Sequence, residues 1–232
     1  MSGKRIIVAG NGPSAYAEPV REWSAFADDP DSTRVFRTNY FFLRDGDPLD
    51  YAVDDWFICE DVADCRAVRA ACRFSDLRPT IWLPGLNKRN IIAEIEENHL
   101  AGLCVRVQRL FPRLPAACRW EEDLAPERPL MGSFALAVAV GMNPEEILIC
   151  GHDLFRHPSG NSHAGTALEA REWQADFNAA YLANVHRNHR LSGDVKYIRA
   201  ALSAYGGKVS CVGTALAEIF RDEFPEWTWL EG

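Results

Sequence analysis

Four consecutive apolar residues, Ile6-Ile7-Val8-Ala9, run directly into Gly10-Asn11-Gly12-Pro13-Ser14, and an apolar-periodic stretch from Ala15 to Phe26 follows. A short apolar run bounded by glycines reads as a buried strand, and the periodic stretch after it reads as a helix. The opening is therefore strand, tight turn, helix. The same alternation continues, with strands expected at Arg34 to Arg37, Trp56 to Cys59, Pro79 to Leu83 and Gly102 to Val107, and helices at Val62 to Cys72 and Ile91 to Asn98. Strands that alternate with helices build an α/β domain around a parallel sheet.

Met131 to Gly141 is small and apolar all round, as in a helix packed inside a domain, and Glu146 to Cys150 is a strand that stops at Gly151-His152-Asp153. The composition then changes. From residue 154 to residue 189 the chain is rich in His, Ser, Gly, Asn and charged residues, with one amphipathic helix over Ala167 to Leu182, and reads as a lid inserted into the domain formed by 1–153 and 190–232. The alternation resumes with a helix at Asp194 to Tyr205, a strand at Lys208 to Val212 and a helix at Ala215 to Glu223.

Charge and composition narrow the function. The 33 acidic residues exceed the 25 Lys and Arg, for a net charge of −8 over 232 residues, which excludes binding of nucleic acid by bulk charge. No run approaches the roughly 18 to 20 apolar residues of a membrane helix, so the chain is expected to be cytoplasmic. The 7 cysteines are scattered, with no C-x-x-C pair, and read as small buried hydrophobes rather than a zinc site or disulfide framework.

In an open α/β sheet, ligands collect outside the carboxyl ends of the strands. The residues there are Gly10 to Ser14, Asn39, Glu60 and Gly151-His152-Asp153. The first group offers backbone amides to a phosphate at a helix start, although a tight turn demands glycine with or without a ligand. Gly10, Gly12 and Ala15 also satisfy G-x-G-x-x-A, so a dinucleotide oxidoreductase is an alternative. A site for NAD wants an acid at the end of the second strand. Arg37-Thr38-Asn39 stands there, which leaves a phosphate-tolerant NADP site open.

Taken together, residues 6–14, Val35-Phe36-Arg37-Thr38-Asn39, Arg128 through Gly132, Ala137-Val138-Ala139, and Glu146-Ile147 to Gly151 and Asp153 resemble glycosyltransferase family 42. These are the bacterial sialyltransferases, which use a cytidine monophosphate donor. His189, five residues before Asp194-Val195-Lys196, is similar to the family's catalytic His before its Asp-Ile-Lys. The resemblance implies a Rossmann-like, mostly parallel sheet flanked by helices, a GT-A-like variant with a small lid. It also implies an inverting transfer of sialic acid or a related sugar to a glycan hydroxyl, in lipooligosaccharide or capsule biosynthesis, without an obligatory divalent metal. His189 would be the general base, with His186 beside it in the catalytic set; a neutral imidazole near pH 7 suits removal of a hydroxyl proton. The donor site would comprise Asn11, Gly12, Ser14, Asn39, Glu60, Met131, Gly132, Gly151, His152 and Asp153. Arg128 and Phe155 would shape the acceptor or sugar site.

Several positions depart from the family pattern. Leu130-Met131 stands where the family has Thr-Ser for the donor carboxylate, Glu60 where it has a third Asn, and Phe155 and His186 where it has tyrosines. These leave the sugar open and raise the alternative of an inactive nucleotide-sugar-binding module of the same fold. His157, His163 or His186 in the lid could assist the departing phosphate. The acidic clusters Asp28-Asp29-Pro30-Asp31 and Asp54-Asp55 lack the strand-flanked D-x-D of metal-dependent transferases and read as solvated carboxylates. The terminal aromatics, Phe224 to Leu230, read as a packed tail, with an oligomer or peripheral membrane contact as alternatives. Expected partners are a nucleotide sugar, a glycan acceptor and a second copy of the chain.

Overall fold

The computed structural model describes residues 5–38, 41, 46–57, 79–83, 104–106, 129–153 and 191–231. The helices expected at 62–72, 91–98 and 167–182 and the lid at 154–189 lie outside them, as do Asn39, Glu60, Arg128, Phe155, His157, His163, His186 and His189.

Eight strands form one sheet: β1 Arg5–Ala9, β2 Thr33–Thr38, β3 Asp55–Phe57, β4 Thr80–Leu83, β5 Cys104–Arg106, β6 Glu146–Cys150, β7 Lys208–Val212 and β8 Thr228–Leu230. Their order is β5-β4-β3-β2-β1-β6-β7-β8, and every neighbouring pair is parallel. The Rossmann-like α/β reading of the sequence holds. The tail, expected only to pack, supplies β8 as the edge strand beside β7, and Phe224 and Trp227 stack 4.0 Å apart at its entrance.

A parallel sheet needs cover on both faces. Residues of β1 alternate between two cores. Ile6 and Val8 pack with α3 (Met131–Met142), α4 (Leu191–Ser203) and α5 (Thr214–Phe220), while Ile7 and Ala9 pack with Ala15, Val20 and Trp23 on the other side. The all-apolar α3 is buried from Ser133 through Val140, which explains why its sequence has no polar face. Phe134 in its first turns meets the edge of Phe57 at 5.7 Å, and Phe57 stacks on Trp82 at 5.6 Å. These contacts hold the start of α3 over β3.

The helix expected from Ala15 to Phe26 is broken into three pieces. Pro13–Tyr16 is a 3-10 turn, Ala17 is extended, and two short helices follow, α1 Glu18–Glu22 and α2 Ser24–Ala27. Pro19 has no N–H to donate to residue 15, so it sits in the first turn of a new helix instead of inside the old one.

Candidate functional site

From β1 the chain builds outward through β2 to β5 on one side, then returns to place β6 to β8 on the other. The connections diverge between β1 and β6, and it is outside the carboxyl ends of strands at such a switch point that open α/β sheets place their ligand crevice. Gly10 to Ser14 and Gly151 to Asp153 form its floor.

The two turns are clasped together. Gly10 N–H donates to the Cys150 carbonyl and Gly12 N–H to the Gly151 carbonyl, each at 2.9 Å. In return, Gly151 N–H donates to Ser14 Oγ and Ser14 N–H to Asp153 Oδ2, again at 2.9 Å. A Cβ at Gly10 would run into the Gly151 carbonyl oxygen, and one at Gly12 into the Asp153 carboxylate. Gly151 itself holds φ +69°, a left-handed conformation suited to glycine. The neighbouring turn therefore accounts for both glycines of the G-x-G pattern.

Fewer of the turn's amides are left for a phosphate than the sequence offers. The N–H groups of Gly10, Gly12 and Ser14 point at β6, Ala15 N–H bonds the Gly12 carbonyl at 3.1 Å, and Pro13 has none. Asp153, expected in the donor site, has one carboxylate oxygen committed to holding Ser14.

Other polar groups at the crevice are not so occupied. Asn11 is 9% exposed, and its Nδ2 donates to the Thr38 carbonyl at 3.0 Å, bridging the ends of β1 and β2. Its Oδ1 is buried and has no hydrogen-bond partner among the described residues. His152 is 7% exposed, and its Nε2 is likewise buried without a partner among the described residues. Burial pushes the His152 imidazole down to about 4, so it is neutral at pH 7. Its ring lies between the β1 turn and α3: a Cβ on Gly10 would approach Cδ2 to 3.1 Å, and one on Gly132 would approach Cε1 to 2.7 Å. Gly132 thus stands against His152, in the first turn of α3, where helical N–H groups lack intrahelical carbonyls.

Asp194 lies in the first turn of α4. Its Oδ1 accepts the Leu130 N–H and the Ser133 hydroxyl, both at 2.7 Å, and so caps α3 from a neighbouring helix. Burial raises its carboxyl to about 6, against the lowering effect of those two donors. The capping partners lie 61 and 64 residues away, so no local pattern announces them.

The structure brings together Asn11, Gly12, Ser14, Met131, Gly132, Gly151, His152 and Asp153 from the expected site. It also settles the part of Arg37 at the end of β2. Arg37 is 1% exposed, with its guanidinium 2.7 Å from Asp47 and 3.0 Å from the Ala52 carbonyl, and is not available to a ribose phosphate. That removes the feature that kept an NADP site open. Cys150 and Cys211 are buried and outside any disulfide, as expected of small hydrophobes. Among the described residues, no helix is long and apolar enough to cross a membrane.

No protein-family model matches the chain, and no curated protein matches its sequence. Solved structures do. The sialyltransferase CstII from Campylobacter jejuni, in complex with cytidine-5'-monophosphate, superposes with a TM-score of 0.62 at 19% identity, over 94% of this chain and 84% of that one. The monofunctional alpha-2,3-sialyltransferase Cst-I from the same organism gives 0.60 at 16% identity, over 90% and 75%. CST-II with a trisaccharide acceptor and CMP gives 0.56 at 18% identity, over 89% and 80%. The fold is shared over nearly the whole chain.

Proposed function

We propose that the chain is a glycosyltransferase that moves sialic acid or a related sugar from a cytidine monophosphate donor to a glycan hydroxyl. The observation that carries this reading is the crevice between β1 and β6, where Asn11, anchored on Thr38, keeps a buried Oδ1 without a partner. Unpaired buried acceptors are costly, and a ligand donor would satisfy this one. The fold shared with CstII and Cst-I supports the choice of a cytidine donor. Met131, Gly132 and His152 form the adjoining wall.

In this reading His189 takes the proton of the acceptor hydroxyl as its oxygen attacks the anomeric carbon. The bond from that carbon to the phosphate oxygen breaks, and cytidine monophosphate leaves with the electron pair, inverting the centre. Residues 154–189 close over the donor and exclude water, and His186 lies in the catalytic set. Asn39 and Glu60 complete the donor site, Arg128 and Phe155 shape the acceptor side, and no divalent metal is required.

The test is a panel of nucleotide sugars, read for thermal stabilisation and for release of free nucleotide. Cytidine monophosphate is expected to raise the melting temperature, and one cytidine donor to be turned over. His189→Ala should then lower turnover by roughly 10²- to 10⁴-fold with little change in nucleotide binding. Binding without turnover would select the inactive module, a reading favoured by Leu130, whose backbone N–H is already held by Asp194. No response to any cytidine compound would reject the donor.

A further inference from the structure

We propose that Asp194 is a positioning residue for the donor crevice, fixing the first turn of α3 against His152 and so setting the shape of the wall that the nucleotide meets. The inference rests on the cytidine-nucleotide reading and deepens it.

Asp194 is 2% exposed and belongs to α4, yet both of its observed hydrogen bonds go to the start of α3, to Leu130 N–H and Ser133 Oγ–H. Leu130 is the N-cap position of α3, and its own side chain cannot cap. The cap has been moved to another helix. A carboxylate is favourable there, at the positive end of the helix dipole. The turn that it holds contains Gly132, whose missing Cβ lets His152 close to van der Waals distance. His152 in turn carries the buried, unpartnered Nε2. Leu130, Ser133, Gly132 and His152 thus form a continuous chain of contacts from Asp194 to the crevice floor. A shift of the α3 turn by a few tenths of an ångström would either press on the imidazole or release it.

Geometry and charge are separable. Both hydrogen bonds use the same atom, Oδ1, so Asp194→Asn keeps an acceptor oxygen for each and loses only the charge. Asp194→Ala loses both. Cytidine monophosphate affinity is measured by calorimetry at a temperature where each variant is folded, after the wild type has been shown to bind. Asp194→Ala is expected to weaken binding by roughly tenfold or more, and Asp194→Asn to restore it to within roughly threefold of wild type, whatever their melting temperatures. Equal weakening in Asp194→Asn and Asp194→Ala, or wild-type affinity in a folded Asp194→Ala, would overturn the proposal.

Should Asp194→Ala fail to fold, Ser133→Ala removes one of the two bonds and is expected to weaken binding by roughly threefold. Unchanged affinity there would overturn the proposal equally. Failure of the wild type to bind any cytidine nucleotide would instead reject the donor reading. The positioning itself is then read from amide hydrogen exchange in the first turn of α3. Faster exchange at Gly132 and Ser133 in Ser133→Ala supports it, and unchanged exchange overturns it.

Discussion

The turn after β1 and the first turn of α3 flank the same imidazole, His152, but they use their polar groups in opposite ways. In the β1 turn the amides of Gly10, Gly12 and Ser14 all donate to the β6 side, and Ser14 Oγ accepts in return. In the α3 turn the capping group comes from another helix, and the imidazole alongside keeps a buried nitrogen without a partner. The glycine-rich turn, conspicuous in the sequence, thus commits the amides of Gly10, Gly12 and Ser14 to the fold and keeps only Asn11 Oδ1 for a ligand. The helix start, inconspicuous in the sequence, closes on the His152 imidazole, which keeps a nitrogen for a ligand. A glycine motif by itself reports close backbone approach, and what approaches must be read from the neighbouring strand.

The contrast predicts that changes at the clasped residues of the β1 turn act on stability, and that changes at Asn11 and His152, which keep unpartnered atoms, act on binding. The strongest attempt to break it is Gly10→Ala. The new methyl would meet backbone atoms of Gly151, which cannot swing away as a side chain could. Chemical denaturation is expected to show a loss of about 3 kcal/mol or more. A variant within about 1 kcal/mol of wild type would mean that the clasp does not explain the glycine.

His152→Leu sharpens the other side. At pH 7 the variant should be as stable as the wild type or more so, because it removes a buried nitrogen without a partner, while cytidine monophosphate binding weakens. Acid should then separate the two proteins. The His152 imidazole titrates near 4 in the folded state against an ordinary value of 6.5, so between these values the unfolded chain takes a proton that the folded one refuses. Stability is lost as pH falls through that window, and the gap in favour of Leu should grow by about 3 kcal/mol at pH 4. Asp194 and Asp55, both raised to about 6 by burial, change stability in the opposite direction over the same range, but they are present in both proteins and cancel in the difference. A gap that does not change with pH would show that the imidazole is not held neutral.

The smallest effects come from a pair. Ser14→Ala deprives Gly151 N–H of its acceptor and should cost about 1 kcal/mol of stability. Asn11→Ala should cost a similar amount through the lost bond to Thr38, but should weaken cytidine monophosphate binding more than Ser14→Ala does. Equal losses of affinity in the two variants would erase the distinction between the saturated group and the available one.

The elements that could be read from the sequence were those whose cause is local. Glu146 to Cys150 and Lys208 to Val212 are strands within their expected bounds, and α3 was legible because a helix buried on every side has no polar face to show. The break at Ala17 was missed because periodicity was followed through Pro19, whose missing N–H outweighs it. The strand at Thr228–Leu230 was missed because only its pairing with β7 makes three residues of an aromatic tail extended. At the site, Asn11 and His152 were identified by their place after strands. The functions of Ser14, Asp153 and Asp194 were not, since each is defined by a partner 61 to 139 residues away.

The register of the sheet also bears on how the protein is made. Arg5 of β1 pairs with Thr33 on one side and with Glu146 on the other. Of the eight strands described, the central one is made before the rest, but one of its two hydrogen-bonding edges has no native neighbour until β6 emerges. At roughly 5 to 20 residues per second, the delay is on the order of ten seconds, and closing so long a loop slows folding further. During that interval, the apolar edge of Ile6-Ile7-Val8 is open to pairing with other nascent chains. Expression yield should therefore respond to translation rate and to chaperone supply more than the stability of the finished fold would suggest.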